Sequence, residues 1–71
     1  MPTLQLQVNG EPRLLSPAPA NLAEVVEQLG HHPRLVVVEF NGEILPRARW
    51  ADQPVRQADA VEVVTIVGGG S

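Results

Sequence analysis

The sequence contains no cysteine and no lysine, and its aromatic residues are limited to Phe40 and Trp50. Without cysteine the chain has no disulfide framework, no thiolate zinc site and no cysteine nucleophile, so we expect a reducing, cytoplasmic location. Five arginines and eight acidic residues give a net charge of -3, which disfavours a nucleic-acid partner because nucleic-acid binding requires basic side chains. The N-terminus does not resemble a signal peptide, and no apolar run approaches the roughly 20 residues that span a bilayer. We expect a soluble protein with neither a nucleic-acid nor a membrane partner.

The length of 71 residues is enough for one domain with a small core. The scarcity of aromatic residues means that valine, leucine, isoleucine and alanine must build that core. A chain of this size leaves little room for a deep catalytic cleft assembled from several loops.

The first fifteen residues predict a hairpin. Residues 3–8 alternate polar and apolar side chains, which is typical of a half-buried strand. Asn9-Gly10 is a preferred pair for a two-residue turn, because both positions tolerate positive φ. Residues 11–15 form the returning strand, and Pro12 places it at a sheet edge. The inward residues of the first strand are then Leu4, Leu6 and Val8.

One short helix of about two turns is predicted next. Asn21 is a favourable N-cap, and Glu24 three residues later makes a capping-box-like pair. Gly30 stands where a helix C-terminal cap is expected. The apolar stripe of this helix consists of Leu22, Val25, Val26 and Leu29.

The second half of the chain predicts three more strands. Residues 35–40 are rich in β-branched side chains and predict a buried strand. Asn41-Gly42 is a second turn, followed by a short strand at residues 43–45. Residues 47–60 are expected to be irregular, with Trp50 anchoring the loop. The last strand is predicted at residues 61–66.

No residue pattern predicts an active site or a metal site in this chain. His31 and His32 are adjacent, but no third or fourth ligand stands at useful spacing. A triad written with Ser16 and His31 lacks the sequence of a nucleophile elbow. We therefore expect no catalytic residue and no metal ligand.

The last strand indicates a docking surface. Val61 and Val63 fall on one face, whereas Glu62 marks the other face as the solvent side. On the strand at residues 35–40, Glu39 marks an outer face in the same way. The predicted partner-docking residues are Val37, Val64, Ile66 and Val67. The alternative is a sheet covered on both faces, or a patch too small to matter.

The chain ends in a run of three glycines, Gly68, Gly69 and Gly70, followed by Ser71. A phosphate-binding loop would need a following Lys-Ser/Thr and a helix, and neither is present. One interpretation is an ordinary loose terminus. The other is a tail without side chains that enters a narrow channel and presents its terminal carboxylate to another enzyme.

Several stretches of the sequence resemble the small sulfur carriers of bacterial thiamine biosynthesis. They are residues 8–11 (VNGE), 38–44 (VEFNGEI), 58–64 (ADAVEVV) and 67–70 (VGGG). The resemblance covers nearly the whole chain, and its most specific part is the closing strand with its glycine tail. It implies an α+β, ubiquitin-like β-grasp fold, with a mixed four- to five-stranded sheet packed on one short helix. It places the domain at residues 1–67 and a flexible tail at residues 68–71, and it makes the first and last strands central and parallel.

The same resemblance implies a carrier that is not an enzyme. The carboxylate of Gly70 would be adenylated by an E1-like adenylyltransferase and converted to a thiocarboxylate, with Gly68 and Gly69 as the flexible tail. A sulfur donor protein and thiazole synthase would be further partners. The chain itself would bind no cofactor, because ATP is used by the activating partner, and it would be a monomer when free.

Ser71 departs from the family pattern, which ends at glycine. It is removed before activation, or added by cloning, or the tail is not activated. The first alternative to the thiamine carrier is the small subunit of molybdopterin synthase, which uses the same tail chemistry. The second is a β-grasp interaction module without acyl chemistry.

Overall fold

The computed structural model describes residues 2–66, which form one sheet, one α-helix and two short 3-10 helices. The helix α1 spans Leu22–Gln28, and the 3-10 helices span Pro33–Leu35 and Arg47–Asp52. No helix in this part of the chain is long and apolar enough to cross a membrane. The strands are β1 (Leu4–Val8), β2 (Glu11–Leu15), β3 (Val36–Phe40), β4 (Glu43–Leu45) and β5 (Ala60–Thr65).

The five strands lie in the order β2-β1-β5-β3-β4. β1 and β5 pair in parallel at the centre, and every other pair of neighbours is antiparallel. The mixed sheet with parallel central strands agrees with the β-grasp fold that the resemblance implies. β2 is an edge strand, as Pro12 predicts, because proline has no N–H for a second neighbour.

Both predicted Asn-Gly turns are confirmed. The φ angles are +52° at Asn9 and +82° at Gly10, and +51° at Asn41 and +91° at Gly42. Positive φ at both central residues gives a turn whose twist matches the right-handed twist of the flanking strands. The hairpins β1–β2 and β3–β4 therefore follow from local sequence.

The core lies between α1 and one face of the sheet, which we call the inner face. Leu22, Val25 and Val26 of α1 are fully buried, as the apolar stripe predicts. Leu29 is only partly buried because it is the C-cap of the helix. The sheet contributes the residues predicted to face inward, together with two from β3 and one from β2: Leu4, Leu6, Val8, Leu15, Val36, Val38, Val61 and Val63.

The ends of α1 also follow the sequence. The Asn21 side chain accepts a hydrogen bond from the Glu24 N–H at 3.0 Å. Glu24 in turn accepts from the Ala20 N–H at 2.9 Å, so the reciprocal bond reaches one residue further back than in the usual capping box. At the other end Gly30 has a φ of +84°, the left-handed conformation that ends many helices.

Residues 47–60 are not irregular throughout, which corrects the prediction. The 3-10 helix Arg47–Asp52 holds Trp50, whose indole is 3 % exposed and donates to the Leu45 carbonyl at 2.9 Å. Such a single short segment carries no apolar periodicity, so the sequence pattern missed it, although Trp50 is the predicted anchor. Three strands also differ at their ends, and the first of them, β1, begins at Leu4 and not at residue 3. Leu35 belongs to the 3-10 helix, and β5 runs one residue earlier than predicted.

Candidate functional site

The candidate site is the face of the sheet opposite α1, which we call the outer face. On β3 and β5, Val37 lies directly opposite Val64, and Glu39 lies directly opposite Glu62. Directly opposed residues share a face, and their Cβ atoms are about 4.5–5.5 Å apart. Each opposed pair forms one row of side chains, and the rows follow one another along β3 and β5 towards the end of β5.

The rows nearest the end of β5 are apolar. The Ile66 N–H donates to the Leu35 carbonyl at 2.6 Å, which extends the pairing by one residue beyond the strands. Val64 is 56 % exposed and Leu35 and Ile66 are each 50 % exposed, whereas Val37 is half-buried. These four residues, Leu35, Val37, Val64 and Ile66, are the apolar end of the outer face. Its last residue, Ile66, is also the last residue that the structure describes.

The next row is acidic. Glu39 and Glu62 face each other across β3 and β5, and Ile44 of β4 lies opposite Glu39 on its other side. Glu62 is exposed and Glu39 is half-buried. We call Glu39 and Glu62 the acidic row. Sequence alternation marks each glutamate as outward-facing, but their pairing depends on a register that alternation does not give.

The Asn9 side chain binds the middle of β5. Its Oδ1 accepts from the Val63 N–H at 2.8 Å, and its Nδ2 donates to the Val63 carbonyl at 3.3 Å. β1 ends at Val8, so beyond that point the Asn9 amide takes the place of a neighbouring strand. A turn residue therefore holds the strand that precedes the tail.

Asn41, in the other turn, binds the beginning of β5 in a similar way. Its Oδ1 accepts from the Ala60 N–H at 2.8 Å, and its Nδ2 donates to Asp59 Oδ1 at 3.2 Å. Asp59 Oδ2 also accepts from the Arg56 N–H at 2.8 Å. The sequence analysis used both asparagines only as turn formers. Their bonds to β5 are long-range, so no local pattern would have found them.

The described residues hold no cluster of side chains suited to a metal ion. Within residues 2–66, no three histidine, cysteine, aspartate or glutamate side chains converge to hold a metal, and no polar side chain is buried. His32 Nδ1 accepts from the Arg34 N–H at 3.2 Å and caps the 3-10 helix Pro33–Leu35, which is a structural role.

Four of the predicted functional residues lie outside the described residues: Val67, Gly68, Gly69 and Gly70. Ser71 lies outside them as well. The adenylation site, the flexible tail and the last docking residue therefore stay predictions. The structure brings the other three docking residues, Val37, Val64 and Ile66, to one end of one face, and their docking role is likewise still a prediction.

The sequence profile of the ThiS family matches residues 6–70 of the chain. The chain belongs to the ThiS family. Its membership confirms the resemblance, and the match extends through Gly70.

Similar proteins agree with this membership. The ThiS-family chain is 40% identical over 63 residues to a sulfur carrier protein ThiS of Thermus thermophilus, covering 89% of this chain and 95% of that protein. It is 38% identical over 68 residues to a thiazole synthase of Paramagnetospirillum magneticum, covering 96% of this chain. The matched region spans only 21% of the length of that synthase.

Solved structures support the fold. The crystal structure of the thiamine biosynthesis protein ThiS of Geobacter metallireducens has a TM-score of 0.78 and 36% sequence identity, covering 94% of this chain and all of that one. An NMR structure of a thiamine biosynthesis protein of the same organism has a TM-score of 0.79. The mixed five-stranded sheet on one helix, the β-grasp fold, is confirmed.

Proposed function

We propose that this chain is a sulfur carrier of thiamine biosynthesis, and that the carboxylate of Gly70 is the group that carries sulfur. The observation that supports the proposal most directly is the ThiS-family match, which includes the glycine run up to Gly70. The geometry supports it too, because the apolar end of the outer face includes Ile66, two residues before that run in the sequence. The chain is a carrier, and its E1-like partner performs the catalysis.

The chemistry explains why a carrier needs activation. A carboxylate resists nucleophiles, because it is anionic and has no good leaving group. When a carboxylate oxygen of Gly70 attacks the α-phosphorus of ATP, pyrophosphate leaves and a mixed anhydride with AMP forms. A persulfide sulfur of a donor protein then attacks the acyl carbon, AMP leaves, and an acyl disulfide joins the two proteins. A thiol of a partner attacks the donor-side sulfur of that disulfide, forms a new disulfide with the donor and displaces the thiocarboxylate of Gly70. The resulting thiocarboxylate is a nucleophile, as a cysteine thiolate is, in a chain that has no cysteine.

The partners follow from that reaction. The E1-like adenylyltransferase binds and uses the ATP, so this chain needs no cofactor of its own, and the use of ATP leads us to place the reaction in the cytoplasm. Thiazole synthase is the acceptor. The thiazole synthase of Paramagnetospirillum magneticum, with a region 38% identical to this chain, supports that assignment. Val37, Val64, Ile66 and Val67 are the residues we assign to docking.

Glycine is required in the tail for steric reasons. A tail without side chains passes through a channel that a branched side chain would block, and free glycines adopt the most varied backbone conformations. Activation also requires the Gly70 carboxylate to be free, so Ser71 must be removed before adenylation.

Intact-mass analysis tests the proposal. We expect the chain ending at Gly70 to gain the mass of AMP when it is incubated with ATP and its activating enzyme. Addition of a sulfur donor should then leave a product in which one oxygen is replaced by sulfur. The chain ending at Ser71 is the matched control and should stay unmodified. The variant Gly69→Val of the shorter chain should lose adenylation while keeping its melting temperature.

The absence of an adenylate would overturn the proposal, provided that the activating enzyme adenylates a carrier of its own. That result would favour an interaction module without acyl chemistry, for which the extra Ser71 is the favourable feature. If the sulfur is delivered to a molybdopterin precursor and not to thiazole, the assigned pathway would be wrong, but the proposed tail chemistry would still hold.

A further inference from the structure

We propose that the acidic row receives a basic side chain, an arginine or a lysine, from the surface of the activating enzyme. The row consists of Glu39 and Glu62, which are directly opposed on the outer face. The inference rests on the proposed function and adds a charge-specific contact to the apolar one. The partner would then need two features at a fixed spacing, an apolar surface for the apolar end and a basic group for the acidic row.

The charge on this face has one sign. Among the described strands, the outward-facing residues of β1 and β2 are Gln5, Gln7, Pro12 and Leu14, and β4 contributes Ile44. The charged strand residues on the outer face of residues 2–66 are therefore the two glutamates of the acidic row. A partner that covers this face must bring a cation or leave two carboxylates desolvated, and an unpaired buried charge is costly.

The paired glutamates are unfavourable for the free domain. Like charges directly opposite each other on neighbouring strands destabilise a sheet, whereas opposite charges stabilise it. The residue on the other side of Glu39 is Ile44, which offers no compensating charge. A guanidinium or ammonium group placed between the two carboxylates removes the repulsion, because its positive charge lies near both and its N–H groups donate to both. The repulsion is thus present in the free carrier and absent in the complex.

The spacing of the contact is set by the strand. Glu62 precedes Ile66 by four residues, and a strand rises about 3.3 Å per residue. The partner's basic group should therefore lie about 13 Å from its contact with Ile66. Between them, Val37 and Val64 require an apolar surface. The partner surface should therefore carry a basic group followed by an apolar strip along the direction of β5.

The same charges argue against a second copy of this chain as the occupant. Two copies stacked through the outer face would set each acidic row against the other row, or against the apolar end of the neighbouring copy. Either arrangement removes carboxylates from water without a cation. The complementary surface accordingly belongs to a different, basic protein.

Titration of single-charge variants with the activating enzyme tests the inference. We expect Glu39→Gln and Glu62→Gln each to raise the Kd about tenfold, which is the size of one charge contact. The salt dependence of the Kd should also become shallower. The matched control is Glu27→Gln, on an exposed position of α1. It changes the net charge equally, so it corrects for long-range attraction between the two proteins.

Stability gives a second readout that moves in the opposite direction. Because the repulsion is relieved, the melting temperature of Glu39→Gln and Glu62→Gln should rise by about 1–4 °C. Glu62→Arg should raise it too, since arginine would then face Glu39, yet this variant should lose binding most severely. A general unfolding effect would lower both stability and affinity, so the two readouts separate the explanations.

An unchanged Kd and salt dependence in both glutamine variants, relative to Glu27→Gln, would overturn the inference. The proposed function would survive that result if the chain ending at Gly70 still forms its adenylate. Loss of affinity for thiazole synthase alone would overturn the choice of occupant. Dimerisation of the wild-type chain through this face, seen in sedimentation and abolished by Val64→Asp, would overturn the argument against a second copy.

Discussion

On β5, Val61 and Val63 lie in the core with the apolar stripe of α1, whereas Glu62 and Val64 alternate with them on the outer face. One strand thus supplies both the interior and the candidate site. The buried residues of the inner face are all apolar and are closed by α1, so they determine stability. The outer face combines an apolar end with an acidic row, and none of its residues is needed to close the core. Stability and recognition are therefore assigned to alternate residues of the same strand.

The sharpest way to break this comparison is to place the same charge on each face of β5. We expect Val61→Asp to lower the free energy of unfolding by about 3–5 kcal/mol, because a carboxylate would enter a fully buried position. Val64→Asp, at a position 56 % exposed, should change it by no more than about 0.5 kcal/mol. Urea unfolding of the two variants measures both values.

For affinity, Val64→Asp is the informative variant of the two. Val64→Asp should weaken affinity for the activating enzyme about tenfold or more while the domain remains folded, because a charge would enter an apolar contact. Similar stability losses in the two variants would contradict the division between faces. An unaltered affinity of Val64→Asp would remove the apolar end from the docking surface.

The local parts of this arrangement could be predicted from sequence. Alternation of Leu4, Leu6 and Val8 identifies the inner face of β1, and the Asn-Gly pairs identify both hairpins. The pairing of Val37 with Val64 and of Glu39 with Glu62 could not be predicted, because it depends on register between strands far apart in the chain. The resemblance to a known family supplied the parallel pairing of β1 and β5, which periodicity does not give.

The helix offers a graded test of the inner face. Leu22→Ala should cost about 2–5 kcal/mol, because Leu22 is fully buried and the cavity collapses only in part. Leu29→Ala should cost about 1 kcal/mol, since Leu29 is a partly buried helix cap. Thermal unfolding of both variants gives the comparison. Equal losses would show that Leu29 is as much a part of the core as Leu22.

Loss of the bonds from the Asn9 side chain to the backbone of β5 should have a smaller effect. Asn9→Gly keeps a residue that tolerates the φ of +52° but removes both bonds to Val63. We expect a loss of about 1 kcal/mol and faster hydrogen exchange of the Val63 amide. Asn41→Gly is the matched variant in the other turn, where the Ala60 amide should exchange faster instead. Unchanged exchange at Val63 would show that the Asn9 side chain does not protect β5.

The smallest expected effect is a gain in stability at Ala58, just before β5. Ala58 has a φ of +70°, and its N–H donates to the Gln5 carbonyl at 2.8 Å, which holds this conformation. A Cβ in the left-handed region costs about 1–2 kcal/mol, whereas glycine adds flexibility to the unfolded chain. Ala58→Gly should therefore stabilise the domain by about 0.5 kcal/mol. The control Ala60→Gly, inside β5, should instead cost about 0.5–1 kcal/mol, because it weakens a strand and relieves nothing. Urea unfolding of the two variants should give changes of opposite sign, and a loss in both would show that Ala58 is not strained.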